Sequence, residues 1–136
     1  MVGELEHGNI RVGDLDEAVR FLTTALPNFR VRGGGSSGDG SRWLHVGTDN
    51  TYVALTEATG DRRPSDGPGL NHLGFVVDDV DAVRERLAEA GYEQSSVGEP
   101  HRYRKRGYFF DRDGVEWEFV EYLTDDPAKR NDYSDT

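Results

Sequence analysis

The feature that most constrains the fold is a phrase that occurs twice in the chain. EHGNIRVGDLD spans residues 6–16 and NHLGFVVDDVD spans residues 71–81. His7 and His72 hold the same place in the two copies, 65 residues apart, and an aspartate follows each histidine after seven residues. Each copy reads as a strand, an acidic turn and an amphipathic helix. An internal repeat of one supersecondary unit is therefore predicted.

The first half predicts one helix among four strands. Hydrophobic spacing and a Pro27 stop define the helix, and Asp14 or Asp16 can cap its start. The glycine-rich run GGGSSGDG at residues 33–40 predicts a flexible loop without regular structure. The predicted order is strand, helix, strand, strand, strand at residues 4–12, 15–25, 28–32, 42–46 and 52–57.

The second half repeats this order. Gly91 is expected to end its helix, and the Asp-Gly pair in the turn at residues 111–114 predicts a hairpin. The predicted elements lie at residues 70–77, 79–90, 92–96, 104–111 and 115–122. Residues 58–69 are interpreted as a linker and residues 123–136 as a polar, partly ordered tail. We therefore expect a single α+β domain, in which two paired βαβββ modules form a curved, cup-like mixed sheet with the helices on its outer face.

Composition narrows the functional classes. The 136 residues suit one domain, and the absence of cysteine excludes disulfides and thiolate metal sites. A net charge of −10 argues against non-specific binding to nucleic acid or to an anionic membrane. No apolar run approaches the roughly 20 residues of a membrane span, and Met1 is not followed by a basic-then-apolar signal segment. We expect a cytoplasmic protein.

The alternation of strand residues separates apolar from polar faces. In the strand at residues 70–77, Leu73 and Phe75 form an apolar face and His72 points the opposite way. In the last strand, Trp117 and Phe119 are the bulky apolar pair. The apolar faces are expected to lie under the helices, so the polar side chains between them are expected to face the concave side.

Three of these side chains form a candidate metal site. His7, His72 and Glu118 are predicted to converge on the concave side. Two imidazoles and one carboxylate suit Mn, Fe, Co, Ni or Zn and leave positions for water and substrate. Each side chain taken singly is more often a surface residue, but the matching places of the two histidines favour a shared ligand role. Glu116 lies on the same face as Glu118 and remains an alternative ligand.

Other polar residues are secondary candidates. His45 shares a strand face with Trp43 and is a candidate general base, or simply a half-exposed strand residue. Tyr108 is a candidate hydrogen-bond donor to an oxygen at the metal, or a surface tyrosine. Three arginines alternate on one strand face, where they could hold an anionic substrate group or, more commonly, protect an edge strand by charge: Arg102, Arg104 and Arg106.

Longer phrases extend this hypothesis. EHGNIRVGDLDEAVRFL, NHLGFVVDDVDAVRERL and FFDRDGVEWEFVE resemble the vicinal oxygen chelate superfamily over about residues 4–122. That superfamily contains glyoxalase I, extradiol dioxygenases, fosfomycin-resistance thiol transferases, methylmalonyl-CoA epimerase and bleomycin-binding proteins. Its paired βαβββ modules place metal ligands on first and last strands. By resemblance, the ligands are His7, His72 and the glutamate four residues after the DRDG turn, Glu118.

The resemblance departs from glyoxalase I at the fourth ligand, because Ala54 stands where that enzyme has a carboxylate. The His, His, Glu set is more similar to the dioxygenase and fosfomycin-enzyme pattern, although the phosphonate-binding Lys and Ser of the latter have no match in residues 95–106. The resemblance implies a lyase or isomerase of small molecules that depends on a divalent metal, with Glu118, His45 and Tyr108 as catalytic candidates. The alternatives are an Fe(II) extradiol dioxygenase and a non-enzymatic drug-binding dimer. A homodimer is expected in each case.

Overall fold

A computed structural model of the chain describes residues 3–61 and 67–134. The chain divides into two compact units, Met1–Arg63 and Pro64–Thr136. The first unit contains β1 (His7–Val12), α1 (Leu15–Ala25), β2 (Arg30–Ser36), β3 (Arg42–Gly47) and β4 (Tyr52–Glu57). The second contains β5 (His72–Val76), α2 (Val80–Glu89), β6 (Gln94–Ser96), β7 (Arg104–Phe110), β8 (Glu116–Tyr122) and α3 (Pro127–Arg130). The middle of the predicted linker, residues 62–66, lies outside the described residues.

The two units share one topology. Each has a four-stranded mixed sheet, with strand order β1-β4-β3-β2 in the first and β5-β8-β7-β6 in the second. The first strand of each unit pairs in parallel with the last strand of its sheet, and the other pairings are antiparallel. His7 lies opposite Tyr52 just as His72 lies opposite Glu116. The predicted α+β fold of two βαβββ modules is therefore confirmed.

The repeated aspartates are helix caps. The Asp14 carboxylate accepts a hydrogen bond from the Glu17 backbone N–H at 3.1 Å, and the Asp79 carboxylate accepts one from the Ala82 N–H at 3.0 Å. The constant seven-residue spacing from histidine to aspartate is thus the length of one strand and one turn. Gly91 follows the end of α2 with φ +89°, as predicted for a residue in the left-handed region.

Replacing Asp79 with alanine should lower the free energy of unfolding by about 1 kcal/mol, because the first turn of α2 loses its capping acceptor. Chemical denaturation followed by circular dichroism measures the change. Asp78→Ala removes the neighbouring exposed carboxylate without touching the cap. Equal losses from the two variants would contradict the capping role.

α1 and α2 each pack against the sheet of their own unit. In the second unit Val80, Val83 and Leu87 of α2 are buried, as are Trp117 and Phe119 of β8. The opposite face of the same strands carries His72 and Glu118 as half-buried side chains. The predicted separation of faces is therefore confirmed within this unit, and it sets the polar residues on the side away from α2.

The predicted loop at residues 33–40 is wrong over residues 33–36, which belong to β2, whereas residues 37–40 lie outside strands and helices. β2 continues through Gly34, which lies opposite Leu44 in antiparallel pairing with β3. A Cβ atom on Gly34 would lie 2.5 Å from Leu44 Cδ2 and 2.8 Å from the Trp43 carbonyl oxygen, so the strands approach closely only because this residue has no side chain. Hydrogen bonds to β3 supply the order that the local sequence lacks. The chain turns only after this strand, where Gly40 has φ +87°.

Candidate functional site

His72 and Glu118 meet on the face of the second sheet that lies opposite α2. Parallel pairing of β5 with β8 places Gly74 opposite Glu118, so His72 reaches diagonally toward the carboxylate. His72 Nε2 lies 3.1 Å from Glu118 Oε2, and the side chains are 32% and 18% exposed. A Cβ atom on Gly74 would lie only 3.3 Å from Glu118 Oε2, so the missing side chain leaves room for the carboxylate.

The alternative carboxylate, Glu116, has a different partner. Glu116 Oε2 accepts a hydrogen bond from Ser95 Oγ at 2.7 Å. The strand register pairs Glu116 directly with His72, but it is Glu118 that contacts the imidazole. Of the two glutamates that the sequence left open, Glu118 is therefore the one adjacent to His72.

The residue before each repeated histidine holds the imidazole in one tautomer. His72 Nδ1 lies 2.7 Å from Asn71 Oδ1, and His7 Nδ1 lies 2.9 Å from Glu6 Oε1. Both partner oxygens are acceptors, so Nδ1 carries the hydrogen and Nε2 of the neutral ring carries a lone pair. Sequence reasoning overlooked Glu6 and Asn71. Their matching places immediately before the two histidines were the signal that could have found them.

The His72–Glu118 contact suits a cation. An unprotonated Nε2 and a carboxylate oxygen are both acceptors, and they repel each other unless a proton or a cation lies with them. Two ligands held at about 2.1 Å from one metal and at about a right angle are about 3.0 Å apart. The observed separation of 3.1 Å matches that of adjacent ligands. The pair therefore fits one edge of a divalent-metal site.

Tyr108 fixes the carboxylate. Its hydroxyl donates a hydrogen bond to Glu118 Oε1 at 3.0 Å, which leaves Oε2 directed at His72. Burial raises the pKa of Tyr108, and its hydrogen bond to Glu118 acts in the same direction. The phenol therefore stays protonated at neutral pH and remains a donor. The sequence predicted that Tyr108 donates to an oxygen at the metal, whereas in the structure its hydroxyl donates to Glu118.

A row of aromatic rings lies on the first sheet. The His7 ring stacks on Tyr52 with centroids 4.7 Å apart, and the His45 ring stacks on Tyr52 at 4.5 Å. Trp43 lies 4.9 Å from His45 in a tilted arrangement. His7 and His45 are therefore both in contact with Tyr52, which lies between them.

Strand register relates the two units residue by residue. Ala54 lies opposite Asn9 and His45, as Glu118 lies opposite Gly74 and Tyr108. Ala54 therefore occupies in the first unit the position that Glu118 occupies in the second. This agrees with the sequence alignment that put Ala54 at the missing fourth ligand. His45 takes the place that corresponds to Tyr108.

The three predicted ligands lie in different units. His7 belongs to the first unit, and His72 and Glu118 belong to the second. Across residues 3–61 and 67–134, no group of three or more His, Asp or Glu side chains comes together as a metal-binding cluster. The structure thus establishes the pair in the second unit, and the convergence of His7 with it stays a prediction.

The arginines of the predicted cluster have different surroundings. Arg104 is only 7% exposed, and its Nη1 donates to the carbonyl oxygens of Arg130 and Asp132 at 3.1 and 3.3 Å. Its guanidinium anchors the segment that follows α3. The explanation of a solvated edge-strand charge is wrong for Arg104, because this side chain is buried. Arg106 donates to the Glu99 carbonyl oxygen, and Arg102 precedes β7, so only Arg104 and Arg106 lie on that strand.

Comparison with known protein families identifies the family to which this chain belongs. A statistical model of the Glyoxalase/Bleomycin resistance protein/Dioxygenase superfamily matches residues 4–119. The chain belongs to this superfamily. The match begins before β1, ends within β8, and includes His7, His72 and Glu118. None of the helices in the part of the chain that the structure describes has the length and apolar character needed to cross a membrane.

Individual proteins that are similar to this chain support its assignment to the superfamily. The chain is 29% identical over 107 residues to the ethylmalonyl-CoA/methylmalonyl-CoA epimerase of Cereibacter sphaeroides, a match that covers 74% of this chain and 80% of the relative. A glyoxylase/bleomycin resistance protein/dioxygenase domain from Frankia sp. shares 26% identity and a TM-score of 0.74, covering 90% of this chain and 99% of the other. The fosfomycin resistance protein FosX of Listeria monocytogenes, complexed with Mn(II) and sulfate, shares the fold at 22% identity and a TM-score of 0.69, with 96% and 98% covered.

Proposed function

We propose that this protein is a divalent-metal-dependent enzyme of the vicinal oxygen chelate type that acts on a small molecule as a lyase or isomerase. His7, His72 and Glu118 are the proposed ligands. The observation that carries the proposal is the contact between His72 Nε2 and Glu118 Oε2 at 3.1 Å, with the imidazole held through Nδ1 by Asn71 at 2.7 Å. A half-buried acceptor pair oriented in this way fits a metal better than it fits an ordinary surface ion pair.

Of the two contacts described for His72, the hydrogen bond at Nδ1 is repeated in His7. Its Nδ1 is held by Glu6, so Nε2 of the neutral ring is free to bind a metal. The support for a shared ligand role is that Nδ1 of each histidine contacts a side-chain oxygen of the preceding residue. Family membership adds that FosX of Listeria monocytogenes binds Mn(II), and we propose Mn(II), Fe(II), Co(II), Ni(II) or Zn(II) for this chain.

The chemistry follows from the residues around the pair. A bound divalent metal would supply a Lewis acid that stabilises negative charge developing on substrate oxygens. Tyr108, a protonated donor, holds Glu118 in its ligating orientation. Isomerisation beside a carbonyl also requires a base, and His45, a half-buried imidazole stacked on Tyr52, is the proposed one. The relative from Cereibacter sphaeroides is named as an acyl-CoA epimerase, which supports an isomerase over a lyase.

Metal analysis of protein purified without chelator is the direct test. About one equivalent of a divalent metal is expected in the wild type, and His72→Ala should lose it, since the ligand pair is broken. His101→Ala is the control, because His101 donates to the Asp132 carbonyl and takes no part in the pair. Metal bound equally by the wild type and by His72→Ala would refute the proposal.

The same preparation separates the alternatives. Oxygen uptake with catechols and Fe(II) would favour an extradiol dioxygenase. A metal-free protein that binds a bulky aromatic antibiotic would favour a sequestering protein of the bleomycin-binding kind. We also propose a homodimer, which light scattering of the purified chain tests, and a monomer at all concentrations would contradict it.

A further inference from the structure

Arg106 lies on the same sheet face as the His72–Glu118 pair. On β7 it is two residues from Tyr108, about 7 Å along the strand, and alternate residues share a face. Arg106 lies opposite Val120, and Tyr108 lies opposite Glu118. The guanidinium therefore belongs to the surface that carries the candidate site.

This guanidinium is incompletely partnered. Its Nη2 donates to the Glu99 carbonyl oxygen at 2.8 Å, while its buried Nε has no hydrogen-bond partner. Among the described residues no carboxylate forms an ion pair with Arg106. Arg104 on the same strand also has no ion pair among the described residues, but its Nη1 donates to two carbonyl oxygens, those of Arg130 and Asp132. The desolvation of Arg106 is offset only by neutral contacts.

The other arginine with a buried, unpartnered Nε shows the contrast. Arg84 also has a buried Nε without a partner, but its guanidinium pairs with Asp81 and donates to the Arg106 carbonyl oxygen. Arg84 extends from α2, so its charge is compensated on the helix side of the sheet. Arg106, in contrast, is a positive charge on the site face that has no ion pair among the described residues.

We propose that Arg106 binds an oxyanion group, a carboxylate or a phosphate, on the small molecule that reaches the His72–Glu118 pair. A guanidinium presents a planar fork of donors that matches such groups. Gly98 packs beside the guanidinium, since a Cβ atom there would be 3.0 Å from Arg106 Nε and 3.3 Å from Nη2, so a side chain at this position would displace the guanidinium. This inference rests on the proposed function, because it names the substrate class for the same site.

The charge of Arg106 also acts on the site. It lowers the pKa of Tyr108, against the larger effects of burial and of the hydrogen bond to Glu118, which raise it.

The test is a titration of inorganic phosphate, and separately of acetate, into metal-free protein, followed by the NMR signals of arginine Nε–H groups. One Nε–H signal should shift with saturation, and Arg106→Met should remove that signal and weaken phosphate binding at least about tenfold, the size of one charge-assisted hydrogen bond. Lys105→Met is the matched control. It removes the same charge one residue away, on the helix side of the sheet, where Lys105 pairs with Asp81. This control should retain wild-type affinity within about twofold.

Each outcome decides between the hypotheses. Absence of saturable binding of either anion, or equal losses in Arg106→Met and Lys105→Met, would overturn the oxyanion site. If Arg106→Met does not fold, Arg106→Lys keeps the charge without the planar fork and should still weaken phosphate binding about threefold or more. Phosphate binding through Arg106 in a chain that takes up no metal would support this inference while refuting the proposed metal enzyme. Metal uptake by a protein whose phosphate binding is unchanged in Arg106→Met would support the proposed metal enzyme and refute the oxyanion site.

Discussion

Glu118→Gln should weaken Mn(II) binding by at least about 100-fold, because the variant removes the charged ligand while keeping the size of the side chain. Mutation of a group that only supports a metal ligand already lowers metal affinity about 10–100-fold, and mutation of the ligand itself should lower it more. The amide oxygen of glutamine can still accept from the Tyr108 hydroxyl, so the local packing is conserved. Isothermal titration calorimetry or electron paramagnetic resonance of free Mn(II) measures the change.

Glu116→Gln is the matched control for that experiment. It makes the same chemical change two residues away on the same face, where the carboxylate accepts from Ser95. Its Mn(II) affinity should stay within about threefold of the wild type, since only long-range charge is lost. A larger effect at Glu116 than at Glu118 would mean that the wrong glutamate has been assigned as the ligand.

Trp117→Ala should lower the free energy of unfolding by about 3–5 kcal/mol, since it removes a large, fully buried ring from the second unit. Trp117 is 1% exposed, and its ring stacks against Phe75 with centroids 6.0 Å apart. Its Nε1 also donates to Asp111 Oδ2 at 3.0 Å. Such a loss is a large fraction of the free energy of unfolding of a small domain. Chemical denaturation measures it.

Phe110→Ala is the comparison for packing. Phe110 lies on the same hairpin but is 36% exposed, so its replacement should cost about 1 kcal/mol or less. Similar costs for Phe110→Ala and Trp117→Ala would show that burial under α2 does not set the stability of this unit.

Trp117→Phe separates the hydrogen bond from the packing. Burial raises the pKa of Asp111, and the Trp117 N–H acts against this effect by stabilising the ionised carboxylate. A carboxyl whose folded pKa is raised contributes stability that is complete below its unfolded pKa and is lost as pH rises through its folded pKa. Removing the donor raises the folded pKa further, so more stability is lost at neutral pH. The destabilisation by Trp117→Phe should therefore shrink as pH is lowered from 7 toward 4, and a pH-independent difference would contradict this account.

The register of the strands decided which glutamate meets the imidazole. From the sequence, Glu116 and Glu118 are equivalent, because both lie on the polar face of one strand. Parallel pairing with β5 puts Gly74 opposite Glu118, and the absence of a side chain there admits the carboxylate. Which carboxylate faces His72 is a non-local property that strand periodicity alone cannot supply.

Long-range contacts also corrected two interpretations. The glycine-rich run has no local signal for a strand, and it is ordered because β3 supplies its hydrogen bonds. Arg104 has the sequence pattern of a surface charge, yet it is buried because the segment after α3 packs over it. Both outcomes depend on residues that lie far away in the chain or on the partner strand.

The sequence by itself determined the repeat, the βαβββ order of each unit, and the division of strands into an apolar and a polar face, and it limited the cap of the first helix to Asp14 or Asp16. These follow from periodicity and capping, which act over a few residues. Only the tertiary structure decided that His72 contacts Glu118, that Tyr108 orients this carboxylate, and that Arg106 is left without a carboxylate partner among the described residues. These depend on strand pairing and burial, because the distance between two side chains on different strands is set by the sheet and not by their separation in the chain.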